Sequence, residues 1–212
     1  MPRIPARRSR PVATSDPDPV RPAVAATIVA AVDQLVRERG WSATTMSDVA
    51  AAAGVSRQTV YNEFGSRPAL VRAYVLREIE TLVASAEEAV RASIGDARGA
   101  LQAAFTQFLK LASDEPLVKV IVADADGGEL VTLLTQLGRS VAVERVGALI
   151  VEVWPQVSAR DAELLADSLA RLAISHALLP MAAPRQIAAD VTRLIGPFVD
   201  EIVGDASSPC RR

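Results

Sequence analysis

The amino-acid sequence predicts an all-α protein. Half of its 212 residues are apolar, and in successive segments they recur at the three- and four-residue spacing of amphipathic helices. Glycine or proline separates these segments, and no stretch alternates apolar and polar residues as a half-buried strand would. A chain of this length and apolar content can bury a substantial core.

The first helix is expected over residues 23–39, where apolar side chains recur at helical spacing. Gly40 follows and can adopt the left-handed conformation that ends many helices. The 22 residues before the helix contain six prolines and five arginines. Because proline lacks the amide that helix interiors and sheets need, this segment is predicted to be a disordered basic arm.

Two short helices are expected next, over residues 46–53 and 57–64. Thr45 and Asp48 have the spacing of an N-cap residue and an acidic residue in the first helical turn. Gly54 ends this helix, and Ser56 caps the following one. Two short helices joined by a tight turn that contains glycine form a helix-turn-helix.

The rest of the chain predicts long helices. Ser66 caps the first of them, which reaches about Arg91, and Pro68 is acceptable in its first turn. Further helices are expected over residues 97–113, 116–124, 128–153, 159–179 and 185–203. The predicted organisation is an arm (1–22), a helix-turn-helix domain (23–66), a helical ligand-binding and dimerisation domain (67–204) and a tail (205–212).

The charge is divided unequally along the chain. Residues 1–77 carry 11 arginines and six acidic residues, whereas the whole chain has a net charge of −2. A basic N-terminal block followed by an acidic, apolar block suggests that the N-terminal end binds a polyanion. Chance asymmetry is the alternative.

The composition also excludes several classes of protein. A single cysteine, Cys210, and a single histidine, His176, leave no basis for an internal disulfide or a His/Cys metal site, so no metal or cofactor is expected. No window approaches the roughly 20 apolar residues of a membrane span. The N-terminal segment lacks the apolar stretch of a secretory signal, so a cytoplasmic location is expected.

The second short helix has the side chains for reading DNA. In a helix-turn-helix this helix enters the major groove, where Arg pairs with guanine and Gln or Asn with adenine. An ordinary solvated helix face is the alternative. The predicted base-reading residues are Arg57, Gln58, Thr59, Tyr61 and Asn62, and the predicted phosphate contacts are Thr44, Thr45, Ser56 and Arg67.

These motifs together resemble the DNA-binding domain of the TetR family of bacterial transcriptional repressors, over about residues 23–72. The resemblance rests on Gly40-Trp41, the Ala-Gly-Val-Ser turn at 53–56, the Thr-x-Tyr-x-x-Phe run at 59–64, and Arg67 and Leu70. Two positions depart from the family pattern. Glu63 stands where the family often has His or Tyr beside a phosphate, and Pro68 replaces the usual acidic residue.

The resemblance implies a homodimer in which the last two long helices pair with their copies in a second subunit. It also implies an effector pocket between the linker helix and these dimer helices. The corresponding residues are almost all uncharged, which indicates a small apolar effector such as a fatty acid, an acyl ester or an alkane-like molecule. The candidate lining residues are Tyr74, Leu101, Phe105, Phe108, Leu109, Val122, Leu133, Leu134, Leu137, Val153 and Trp154.

His176 lies on an apolar stretch of the second-last helix. Two roles are open for this side chain: it is either a hydrogen-bonded histidine of the core or an anchor for a ligand headgroup. Segments 61–67 and 171–180 are also similar to a branch of the TetR family associated with lipid and hydrocarbon genes.

The sequence therefore predicts a homodimeric repressor that binds a palindromic double-stranded DNA operator and is released by an apolar effector. The alternative is a constitutive DNA-binding protein without an effector, which would lack a pocket. An enzyme is not expected, because the sequence contains no nucleophile elbow, no phosphate-cradling glycine loop and no zinc-type histidine pair.

Overall fold

The computed structural model describes residues 20–123 and 128–204. Within these ranges the chain forms helices joined by short turns, so the predicted all-α class is confirmed. The helices are α1 (Val20–Arg39), α2 (Met46–Ala52), α3 (Arg57–Phe64), α4 (Arg67–Arg91), α5 (Ala97–Asp114), α6 (Pro116–Ala123), α7 (Gly128–Val153), α8 (Ala159–Leu178) and α9 (Pro184–Gly204).

The helix boundaries differ from the predicted ones mainly at the start of α1. This helix begins at Val20, so the last three residues of the predicted arm are helical. Pro22 lies in the first helical turn, where a missing backbone amide costs nothing. The rest of the predicted arm and the predicted tail lie outside the described residues, as does the segment 124–127.

The two short helices begin at the predicted caps. Thr45 accepts a hydrogen bond from the Asp48 amide, and the Asp48 carboxylate accepts one from the Thr45 amide at 2.9 Å, which completes a capping box. Ser56 accepts from the Thr59 amide at 3.0 Å. Between the helices Gly54 has φ of +66°, a conformation that costs other residues about 1 kcal/mol or more.

One apolar cluster holds the helix-turn-helix to the rest of the molecule. Val32 of α1, Val49 of α2 and Val60 of α3 are all fully buried, and they share a cluster with Leu70 and Tyr74 of α4. The same cluster continues to Leu117 of α6 and to Leu130, Leu134 and Leu137 of α7. The three N-terminal helices are therefore fixed to α4 by a core that extends past them.

The C-terminal helices surround a second region of apolar packing. Helix α7 packs along α4 and α8, and α5 packs between α4 and α9. Ile150 of α7, Leu165 of α8 and Val199 of α9 form one buried cluster with Leu101 of α5. Helix α4 thus contributes to both regions, because its first turns pack on the helix-turn-helix and its later turns on α5 and α7.

Candidate DNA-binding surface and apolar cavity

Helix α3 has one exposed, polar side and one buried, apolar side. Val60 is fully buried in the N-terminal cluster, whereas Arg57, Gln58 and Asn62 are exposed. Thr59 and Tyr61 are half-buried at the edges of this surface. The side chains predicted to read bases are therefore together on the accessible side of the helix.

The exposed side chains of α3 are ordered by contacts within the helix. Gln58 Nε2 donates to Asn62 Oδ1 at 2.8 Å. Arg57 Nη2 donates to the Tyr61 hydroxyl at 3.4 Å, and its guanidinium lies 5.4 Å from the centre of the Tyr61 ring. Because these groups are exposed, such contacts are readily exchanged for contacts with base edges.

Two of the predicted phosphate contacts are exposed at helix N-termini. Ser56 is the N-cap residue of α3, and its hydroxyl lies 2.8 Å from that of Thr59. The Thr45 hydroxyl donates to Asp48 Oδ2 at 2.6 Å. The hydrogen bonds from Thr45, and then the Arg39 guanidinium 3.1 Å away, hold the pKa of the Asp48 carboxyl below its usual range. The carboxylate therefore stays ionised beside Thr45.

The prediction that Thr44 contacts DNA is not supported by its position. Its side chain is 1% exposed, and its hydroxyl donates to the Gly40 carbonyl at 2.8 Å. This hydrogen bond satisfies a carbonyl at the C-terminal end of α1. Thr44 is a structural residue of the turn between α1 and α2.

Arg67 also has a structural role that the sequence did not predict. Its guanidinium stacks on the Trp41 ring, 4.1 Å from the ring centre. Nη2 donates to the Trp41 carbonyl at 2.7 Å and Nε donates to the Thr44 carbonyl at 3.2 Å. The first residue of α4 is thereby tied to the turn between α1 and α2, which leaves fewer donors for phosphate.

An apolar cavity of about 120 Å³ lies among α4, α5, α7, α8 and α9. Its walls are mostly alanine, valine and leucine side chains together with Phe105, Phe108 and Trp154. Apolar cavities of roughly 150 Å³ remain dry and take up molecules of the size of benzene. The cavity therefore suits a small hydrocarbon group.

The structure brings together four of the residues predicted to line the pocket: Leu101, Phe105, Phe108 and Trp154. Leu134 lines a smaller cavity beside the first, and Phe108 belongs to the wall of both. His176 does not reach the main cavity, because it packs edge-on against the Phe105 ring at 6.4 Å between ring centres.

Other predicted pocket residues lie elsewhere. Tyr74 is fully buried in the N-terminal cluster, where its hydroxyl donates to Asp33 Oδ1 at 3.3 Å, and this burial raises the pKa of the phenol. Leu109 packs in the core between α5 and α9. Leu133 and Leu137 pack on the N-terminal cluster, and Val153 is not in the cavity wall. The side chain of Val122 is outside the described part of the chain.

One charged side chain of the cavity wall is not among the residues predicted from the sequence. Glu87 of α4 is part of the wall, and its carboxylate pairs with Arg145 of α7, with Nε at 2.9 Å from Oε1 and Nη2 at 2.5 Å from Oε2. The spacing of Glu87 on an otherwise apolar helix face, four residues after Val83, could have suggested it. The other wall residues that were not predicted are alanines and aliphatic residues such as Val83 and Ile150, which have no feature in the sequence that separates them from core residues.

The described residues contain neither a membrane-spanning helix nor a cluster of metal ligands. No helix within 20–123 or 128–204 is long and apolar enough to cross a membrane. In the same ranges no group of three or more His, Cys, Asp or Glu side chains could hold a metal ion.

The chain belongs to the TetR family of bacterial regulators. The family model for the N-terminal DNA-binding domain of the bacterial regulatory proteins of the tetR family matches residues 28–74. The model for the C-terminal domain of the bacterial tetracyclin repressor matches residues 96–197. The chain is thus a DNA-binding transcriptional regulator of the repressor type and not an enzyme.

The relatives include regulators named AlkX. The HTH-type transcriptional regulator AlkX of Mycobacterium tuberculosis is 35% identical over 82% of this chain and 83% of its own length. The crystal structure of the TetR family repressor AlkX from a Dietzia strain, implicated in biodegradation of n-alkanes, superposes with a TM-score of 0.68. It is 34% identical and covers 84% of this chain and 98% of its own.

The fold is shared with more distant regulators. A putative TetR-family regulator from Mesorhizobium loti has a TM-score of 0.62 at 18% identity, covering 87% of this chain and 98% of its own. At this identity the likeness concerns the fold alone.

The anchoring of Arg67 gives a testable prediction. Arg67→Lys keeps the charge but loses the planar stack on Trp41 and one of the two carbonyl contacts, so the free energy of unfolding should fall by about 1 to 2 kcal/mol. Urea unfolding followed by circular dichroism measures it. Arg72→Lys, at an exposed position of the same helix, is the matched control and should leave stability unchanged. Equal stability of the two variants would contradict the anchoring role.

Proposed function

We propose that the chain acts as a homodimeric repressor that reads a palindromic operator through α3 and is released by an apolar effector. The observation that carries the proposal is the position of α4. This helix packs on the reading domain through Leu70 and Tyr74 and lines the cavity through Val83 and Glu87. A ligand that moves α4 would therefore move α3 as well.

Sequence readout is proposed for Gln58 and Arg57, which are exposed near the N-terminus of α3. This is the end of a recognition helix that reaches base edges in the major groove. The proposed dimer places two copies of α3 about one DNA turn apart, roughly 34 Å, which predicts a palindromic site.

Gln58→Ala should weaken binding to the preferred operator by about 1 to 3 kcal/mol and relax the base preference at one position of each half-site. The operator is first obtained by selection from a randomised duplex library, and fluorescence anisotropy then compares it with random DNA. Gln102→Ala, at an exposed glutamine on α5, is the control. Equal losses on operator and random DNA would remove Gln58 from the readout.

The dimer surface is proposed on α8 and α9. Part of the apolar surface of these two helices is buried within the chain, because Leu165, Ile187 and Val191 lie in its own core. What remains accessible is Leu164, 54% exposed, and Leu194, 69% exposed. Large exposed leucines on these two helices favour a partner helix pair of the same chain.

Leu194→Arg should raise the dimer dissociation constant about a hundredfold, because an unpaired guanidinium in an interface costs about 3 kcal/mol. Sedimentation equilibrium measures it. Ile94→Arg is the matched control, since Ile94 is 47% exposed in the turn between α4 and α5 and lies outside the proposed surface. If both variants stay dimeric, the interface is elsewhere.

An effector is favoured over a constitutive DNA-binding protein because the cavity has a finite volume. The similar repressor from Dietzia is implicated in biodegradation of n-alkanes. This similarity supports a hydrocarbon-like ligand for the present chain. The Glu87 carboxylate in the cavity wall further favours an uncharged ligand over an anionic one. A ligand carboxylate in this wall would meet a like charge, and the Arg145 guanidinium beside Glu87 is already paired with it.

Neutral ligands should therefore release the operator at lower concentration than anions of equal chain length. We expect n-octanol to act at a concentration at least about tenfold lower than octanoate, because like charges in a poorly solvated wall repel. Operator binding measured by anisotropy gives the midpoints. Glu87→Gln should reduce the difference, and Glu80→Gln, at an exposed glutamate of α4, should not. Release by octanoate alone would overturn this ligand class.

A further inference from the structure

A second, smaller cavity of about 50 Å³ lies next to the main one, on the side of α6. It is lined by Ile79 and Leu82 of α4, Val118 of α6, and Gly138 of α7. Its walls are also apolar. Together the two cavities are lined by residues 79–90 of α4 and 165–177 of α8, with Trp154 in the wall of the main cavity and Val118 in the wall of the second.

The boundary between the cavities consists of the residues that line both. These shared residues are Val83 of α4, Phe108 of α5, Ala142 of α7, and Ala170 and Ala173 of α8. Four of the five have small side chains. Phe108 alone is large, and it is half-buried, whereas its neighbours Phe105 and Leu109 on α5 are buried.

We propose that the two cavities are one tunnel for an unbranched hydrocarbon chain, divided by the side chain of Phe108. A short chain occupies the main cavity alone. A longer chain displaces the Phe108 ring, passes between the small side chains of the boundary, and enters the second cavity. Phe108 is then the residue that sets the chain length of the ligand. This inference rests on the proposed apolar effector and deepens it.

The position of the second cavity gives chain length a consequence for DNA binding. Val118 lines this cavity, and the preceding residue, Leu117, is buried in the cluster that contains α1. Helix α6 packs directly on α1. A chain that fills the second cavity therefore also contacts α6, a further helix that packs on the DNA-binding domain, whereas a chain confined to the main cavity contacts α4 and not α6.

The test measures binding of n-hexanol and n-dodecanol to the full chain by isothermal titration calorimetry, in the absence of DNA. Phe108→Ala opens the division and should tighten n-dodecanol binding about tenfold or more, since each further buried methylene contributes a factor of about four. Binding of n-hexanol should change by less than about twofold, because a short chain occupies the main cavity alone and buries no further methylene in the variant. Phe198→Ala is the control, because Phe198 lies on α9, packs partly buried against the cluster of Leu101 and Ile150, and lines neither cavity.

A second variant tests the tunnel without deleting an aromatic side chain. Ala177 lines the second cavity and not the main one, so Ala177→Leu should weaken n-dodecanol about tenfold and spare n-hexanol. Thermal unfolding of each variant verifies the fold.

The outcomes separate this inference from the proposed function. Equal effects of either variant on both alcohols, or an effect of Phe198→Ala like that of Phe108→Ala, would overturn the divided tunnel and leave the repressor proposal standing. Absence of binding by both alcohols to all variants would overturn the tunnel as a hydrocarbon site. The expected binding pattern without release of the operator would support the tunnel and contradict the effector mechanism.

Discussion

The apolar stripe of α4 is the constraint on which the arrangement of the molecule depends. Leu70, Val71 and Tyr74 are fully buried against the helix-turn-helix, while Val83 lies in the wall of the main cavity. A single rigid helix therefore belongs to two packing regions. Since close-packed interiors transmit displacement and do not absorb it, α4 mechanically connects the main cavity with the helix-turn-helix.

The start of α4 is further fixed by polar contacts that would be costly to break. The Arg67 guanidinium stacks on Trp41 and donates to two carbonyl groups of the turn between α1 and α2. Thr44, buried in the same turn, satisfies a carbonyl at the end of α1. Buried polar groups without partners are strongly destabilising, so these two residues serve the geometry of the domain, whereas Arg57, Gln58 and Asn62 of α3 remain exposed.

The cavity owes its existence to small side chains. Ala142 of α7 and Ala166, Ala170 and Ala173 of α8 line the space between these helices and α5 without filling it. Its single acidic wall residue, Glu87, is held in an ion pair with Arg145 of α7. The volume of the cavity and the charge in its wall thus both depend on contacts between residues that are distant in the sequence.

The sequence by itself determined the elements that depend on local chemistry. The caps Thr45 and Ser56 and the turn at Gly54 predict the helix-turn-helix, because capping and left-handed backbone conformations are properties of a few adjacent residues. It also determined which side of α3 is polar, through the spacing of Val60 and Phe64. Only the tertiary structure decided which of the remaining apolar residues are core and which line a cavity. Tyr74 and Phe108 both lie on apolar helix faces, but Tyr74 is buried beside Asp33 and Phe108 stands between two cavities. That difference depends on the helices packed against them, which periodicity within one helix does not encode.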